Sequence, residues 1–229
     1  MSLRPPDLAI LPEPQRALWA SLRQIPTGFV LYGGTALALR LGHRQSVDFD
    51  FFTSRAFSPG ELQATIPFLQ GGVVGQIEPN TLTVWVTPLP NERAVNVSFF
   101  GGIGFPVIDR PDRLDPDGIV VASLRDLAGT KAKVINERAE LKDYLDIATL
   151  LDAGLALPDI VAAAVAIFPG QVDEISTMSA ITYFEDGEAA WFPEALKKKL
   201  RAAARGARPA RVPRPEFTSI EASAEAVGR

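Results

Sequence analysis

Two glycines and a small hydroxyl residue, Gly33-Gly34-Thr35, stand twelve residues before a pair of alternating carboxylates, Asp48-Phe49-Asp50. Glycine lacks a Cβ, so the backbone can approach phosphate oxygens closely, with the N–H groups of a helix start facing the anion. Carboxylates at i and i+2 of a strand project from one face, so Asp48 and Asp50 can share a divalent cation such as Mg2+ or Mn2+. A phosphate cradle beside a two-acid metal site is the equipment that transfer from a nucleoside triphosphate (NTP) requires. Arg44 and Ser46 stand just before the acids and offer a charged and a hydroxyl donor to the β- and γ-phosphates.

Each motif alone has an ordinary structural meaning. Gly-Gly-Thr is also a helix start, with Thr35 as cap of Ala36-Leu37-Ala38-Leu39-Arg40-Leu41, and Asp-x-Asp is common in turns and on solvated strands. The surroundings distinguish this case. Asp48-Phe49-Asp50-Phe51-Phe52 is too apolar for a loop, and acids set in an apolar strand carry a desolvation cost that a cation offsets. Phe49 and Phe51 then belong to the core, opposite the aspartates, while Phe52 lies on the acids' side.

A second stretch follows: Lys131-Ala132-Lys133-Val134-Ile135-Asn136-Glu137-Arg138, then Lys142-Asp143-Tyr144-Leu145-Asp146. Together with residues 33–50 it resembles the AbiEii-type nucleotidyltransferases, the toxin halves of type IV toxin–antitoxin pairs within the polymerase-beta-like superfamily. The resemblance covers about residues 25–152. It implies an α+β fold, a mixed sheet flanked by helices with a C-terminal helical lobe. It also implies Mg2+ or Mn2+ as cofactor, an NTP as substrate, RNA (a tRNA 3′ end above all) as acceptor, and a cognate antitoxin as partner. Two helical turns separate Lys131 from Arg138, which predicts a shared helix face. Lys131 is expected to stabilise departing pyrophosphate with Arg138 or Lys142 in support. Asp143 and Asp146, neighbours at i and i+3, would bond Lys131 or position the acceptor hydroxyl. The same charges could instead pair among themselves on an ordinary helix surface.

The chain departs from the family at one point. Superfamily members usually carry a third carboxylate on a later strand, and the matching strand here, residues 94–99, has Asn96 at that position. An amide oxygen can ligate a metal but is no base at neutral pH. Two other readings follow: a catalytically weak nucleotide-binding module, and a transferase acting on small molecules of the antibiotic kind.

The elements that must hold these residues are read from periodicity. A helix over residues 12–24 precedes a short strand, 29–32, that feeds the glycine turn, and the acids lie on a strand from 45 to 52. Ser58-Pro59-Gly60-Glu61 has the form of a capped helix start. Strands follow near 73–77, 81–87 and 94–100, with turns at Pro79-Asn80 and Pro90-Asn91. A long amphipathic region then runs from about Ser123 to Leu151, with apolar helices beyond. The expected division is an α/β lobe over 1–117, a helical lobe over 118–204, and a disordered tail over 205–229. Trp85 and Trp191 are expected to be packed, and His43 to be a turn residue.

Composition sets the outer bounds. Hydrophobic content of 47% and charge of 22% fit a globular protein, and no apolar run is long enough to span a membrane. Residues 1–7 lack the apolar core of a signal peptide, and the chain has no cysteine, which together point to the cytoplasm. With no cysteine, thiolate metal sites and cysteine nucleophiles are excluded, and from a single histidine neither a Ser-His-Asp triad nor a multi-histidine metal site is easily built. The net charge of −4 conceals a run of eight basic residues and no acid over 197–214. Such a run can follow a phosphate backbone, or it can be a solvated helix end.

Overall fold

The computed structural model describes residues 8–114 and 118–227. The expectations for residues 1–7, and for a boundary at 117, lie outside the described residues. The chain divides into two compact units, Met1–Ser123 with Phe217–Arg229, and Leu124–Glu216.

The first unit begins with α1 (Glu13–Trp19), which runs on as a 3-10 turn to Gln24, and then β1 (Val30–Tyr32). From there α2 (Gly33–Leu41), β2 (Asp48–Phe52), α3 (Pro59–Thr65), β3 (Val73–Glu78), β4 (Thr81–Val86), β5 (Val95–Phe100), β6 (Asp112–Arg113) and β7 (Val120–Val121) follow in order. The second unit holds α4 (Leu124–Ile135), α5 (Leu141–Asp152), α6 (Leu157–Ile167), α7 (Glu174–Thr182) and α8 (Glu194–Ala204), and the chain ends in α9 (Ile220–Val227), within the first unit.

The sheet of the first unit has the order β3-β4-β5-β2-β1-β7-β6. β2 runs parallel to β5 and β1 parallel to β7, while the remaining pairs are antiparallel, so the sheet is mixed and the class α+β. Its core side is apolar in strict alternation: Phe49 and Phe51 on β2, Leu82 and Val84 on β4, Val97 and Phe99 on β5 are all buried. Phe51 stacks on Phe99 with ring centroids 5.5 Å apart. That period of two turns Asp48 and Asp50 to the opposite face, half-buried, as the sequence predicts.

The structure differs from the sequence expectations in several places. β2 begins at Asp48, three residues later than expected, because Gly42 ends α2 in the left-handed conformation and residues 43–47 form the return. Ser58 and Pro59 start α3 as predicted, but the Ser58 side chain makes no capping bond. Both turn asparagines, Asn80 and Asn91, take positive φ. The amphipathic region after Ser123 is broken at residues 136–140 into α4 and α5 rather than continuous.

The tail expected to be disordered folds. Phe217 exchanges two backbone hydrogen bonds with Val107, and α9 buries Ile220, Ser223 and Ala224. Ile220 and Ala224, one turn apart, supply an apolar stripe short enough to be hidden by the Pro- and Arg-rich residues before it. The basic run is also less uniform than its sequence. Lys197 is buried and bonds Glu194 and the Ala190 carbonyl, Lys199 pairs with Asp152, and Arg201 with Glu185. Lys198, Arg205, Arg208, Arg211 and Arg214 remain exposed. Among the described residues no single helix is long and apolar enough to cross a membrane.

Candidate active site

The turn from β1 into α2 is shaped by glycine because no other residue fits. Gly33 has φ +75°, and a Cβ there would lie 2.6 Å from Oδ2 of Asp50. A Cβ on Gly34 would lie 2.8 Å from both the Arg44 guanidinium and the Ser46 hydroxyl. The two glycines therefore admit a carboxylate, a guanidinium and a hydroxyl to one backbone turn, where Gly33, Gly34, Arg44, Ser46 and Asp50, five residues singled out by sequence, meet. Thr35 behaves differently. It lies inside the first turn of α2 rather than at its cap, is fully buried, and donates its hydroxyl to the main-chain carbonyl of Asp48. Its side chain ties the helix to the acid strand and is turned away from any phosphate; only its backbone N–H could meet one.

Register brings the third metal candidate into line. Asp48 is the direct neighbour of Asn96 across the parallel β2–β5 pair, and Asp50 is the neighbour of Ser98. Residues opposite one another in register share a face, so Asp48, Asp50 and Asn96 present two carboxylates and an amide oxygen together. Asn96 Oδ1 accepts from the Ser98 hydroxyl at 3.1 Å, and Ser98 lies 3.1 Å from the Thr83 hydroxyl. All-oxygen donors of this kind suit Mg2+ or Mn2+, and Asp50 Oδ2 is seated against Gly33, where a Cβ would collide with it. Among the described residues no group of three or more His, Asp or Glu has metal-binding geometry.

The second motif lies in the second unit. Lys131 Nζ donates to Asp143 Oδ1 at 2.7 Å and lies 2.8 Å from Asp146 Oδ2; both aspartates are fully buried. Arg138 does not continue the Lys131 helix face, since α4 ends at Ile135. It lies in the link and reaches Asp143 Oδ2 from the other side at 3.1 Å. Lys142 and Arg138 both pair with Glu140 and keep about half of their side chains exposed. Burial, reinforced by the negative charge of Asp143, pushes the Tyr144 phenol above its ordinary value, and its hydroxyl bonds the Ala180 carbonyl.

Three residues of the sheet face escaped the sequence reading. Ser98 and Thr83 are betrayed only by their even offsets from Asn96 and Trp85. Trp85, expected to be packed, is 42% exposed, and Trp191 is 89% exposed. The alternation of β4 carries the signal for Trp85, because Leu82, Val84 and Val86 already claim the buried side.

A mixed sheet that sets paired acids beside a glycine turn is the arrangement that the resemblance to nucleotidyltransferases implies. The chain belongs to the family of nucleotidyl transferase AbiEii toxins of type IV toxin–antitoxin systems, whose model matches residues 16–223. It is 33% identical over 124 residues to the uncharacterized protein aq_aa25 of Aquifex aeolicus (strain VF5), covering 52% of this chain and 55% of that protein. The chain thus spans little more than half the length of that relative. A crystal structure described as a "putative nucleotidyltransferase" from H. pylori matches with a TM-score of 0.35 and 16% identity, over 82% of this chain and 95% of that one. A likeness that distant carries no argument about residues or activity.

Proposed function

We propose that this chain transfers a nucleoside monophosphate from an NTP to an acceptor hydroxyl, with RNA, in particular a tRNA 3′ end, as acceptor, and that it acts as the toxin opposed by a cognate antitoxin. The observation that carries this reading is the convergence of Asp50, Arg44 and Ser46 on the Gly33-Gly34 turn, beside the Asp48–Asn96 pair. The backbone N–H groups of Gly34 and Thr35 at the start of α2 face the triphosphate, with Arg44 and Ser46 binding its outer phosphates. Asp48, Asp50 and the amide oxygen of Asn96 hold Mg2+ or Mn2+, which when bound supplies charge neutralisation at the phosphates. The acceptor oxygen attacks the α-phosphorus, the bond to the β-phosphate oxygen breaks, and pyrophosphate leaves on the glycine side. The hydroxyl proton passes to solvent, because Asn96 is no base at neutral pH and Asp143 and Asp146 are already bonded to Lys131. We assign Lys131, Asp143 and Asp146 a positioning role in the second unit. Arg138 and Lys142, half-exposed, are the cations of that motif available to a polyanion.

The test is incubation of the protein with each α-labelled NTP, Mg2+ or Mn2+, and total cellular RNA, with Asp48→Ala/Asp50→Ala as control. Label entering a tRNA-sized band only with the intact acids is the expected result. NTP binding without label in any band would favour the second reading, a nucleotide-binding module, which Asn96 motivates. Neutralising Lys198, Arg205, Arg208, Arg211 and Arg214 separates RNA from a small-molecule acceptor. It should weaken RNA binding and flatten its salt dependence while leaving a small-molecule reaction untouched.

A further inference from the structure

The sheet face that carries the acids does not end at Asn96. Register continues from Asp48 on β2 to Asn96 on β5, from Asn96 to Trp85 on β4, and from Trp85 to Val73 on the edge strand β3. All four residues stand in one lateral row on one face. Trp85 is 42% exposed and Val73 70% exposed, whereas the other side of β4 is fully buried. The indole is seated against the edge strand at a single glycine. β3 is irregular between Val74 and Gln76, and a Cβ on the intervening Gly75 would lie 2.8 Å from Trp85 Nε1 and 3.2 Å from Cδ1. Glycine at that position makes room for the indole against β3, and the side chain stays partly open to solvent.

We propose that Trp85 is the stacking platform for the 3′-terminal base of a single-stranded RNA acceptor, an assignment that rests on the transferase reading above. In-line displacement sets the direction of approach. Attacking and leaving oxygens lie on opposite sides of the α-phosphorus. Pyrophosphate leaves toward the Gly33-Gly34 turn beside β1, so the attacking hydroxyl arrives from the β5–β4 side of the acids. Trp85 stands two strand spacings from Asp48, about 10 Å, on that side. A base stacked on the indole puts its own ribose between Trp85 and the acids, where the hydroxyl is needed. Stacking tolerates any base, which fits an enzyme that reads the end of a strand rather than a sequence.

The first measurement needs no variant: wild-type affinity for a short unstructured RNA labelled at its 5′ end, with either an intact or an abasic 3′-terminal nucleotide. Removing the base should weaken binding about tenfold or more. Trp85→Ala should lose as much on the intact RNA and nothing further on the abasic one, while Trp85→Phe stays within about threefold of wild type. In turnover, Trp85→Ala should raise KM for the acceptor with KM for the NTP unchanged. Equal wild-type affinity for the two RNA ends overturns the assignment, as does a rise confined to the NTP, which would put the nucleotide's own base on the indole. Discrimination of the terminal base by a protein that transfers no nucleotide sinks the transferase reading and leaves the platform standing.

Discussion

Two of the chain's close-set pairs of aspartates, Asp48/Asp50 and Asp143/Asp146, are built for opposite ends. Asp48 and Asp50 lie at i and i+2 on a strand, half-buried, next to a backbone turn where two glycines make room for the Asp50 carboxylate, the Arg44 guanidinium and the Ser46 hydroxyl. Asp143 and Asp146 lie at i and i+3 on a helix, fully buried, with the Lys131 ammonium between them and Arg138 on the remaining oxygen of Asp143. The second group balances its own formal charge, two acids against two bases. The first presents acids on a face that water and ligands can reach. Spacing alone does not separate the two pairs; burial does, since Asp143 and Asp146 are fully buried and Asp48 and Asp50 only half-buried.

The sharpest way to break this comparison is at Lys131, where the largest effect is expected. Removing one partner of a buried ion cluster strands the others, so Lys131→Met should cost about 3–5 kcal/mol, read as a lowered urea midpoint. Adding Asp143→Leu and Asp146→Leu should recover much of that loss, because the uncompensated charges go with it. A Lys131→Met protein that keeps its stability but loses transfer would make the lysine a ligand to phosphate, and the two acid pairs would then share one job. Next in size, Asp48→Asn or Asp50→Asn should lower the transfer rate by about 10²–10³. Neither should lower the thermal midpoint by much, since Asp→Asn keeps the side chain's shape and one acceptor oxygen. Unfolding of either variant would move these acids into the structural class.

Much of this contrast is legible in the sequence, and the missing parts have physical reasons. The apolar alternation of Asp48-Phe49-Asp50-Phe51-Phe52 predicts the face of both acids, and the i, i+3 spacing predicts that Asp143 and Asp146 are neighbours. The burial of the second pair is not visible locally, because it depends on α5 packing within a helical unit whose order no period reports. The break between α4 and α5 carries neither Gly nor Pro, so Arg138 reads as part of a helix it does not join. Thr35 satisfies every local rule for a cap, yet its hydroxyl goes to a carbonyl thirteen residues away. Trp85 was legible in the alternation of β4, which outweighs the general preference of tryptophan for the interior.

Gly33→Ala tests how far the acid pair depends on the turn beside it. With φ at +75° and Asp50 Oδ2 in the space of the new methyl, strain of about 1–3 kcal/mol is expected. Because the clash is with the carboxylate itself, the metal concentration for half-maximal transfer should rise along with KM for the NTP. A loss of stability with both constants unchanged would show that the turn and the acid are independent.

The smallest effect, and the finest test of the contrast, is expected from Asn96→Asp. The change is nearly isosteric, and the new carboxylate can still accept from Ser98, so stability should move by less than about 1 kcal/mol. Its register neighbour is Asp48, which makes the new acid a third charge on a face that already holds two. Like charges disfavour one another's ionised forms, so apo protein should bind protons more readily at the acid end of its titration. A divalent cation reverses that balance, and the half-saturating Mg2+ or Mn2+ concentration should fall. The same substitution supplies a base beside the attacking hydroxyl. A rate rise of about 10²-fold or more would mean that the natural chain lacks the proton acceptor on which its chemistry depends. A smaller rise, with metal affinity improved, would mean that two carboxylates and an amide already do the work and that solvent suffices for the proton.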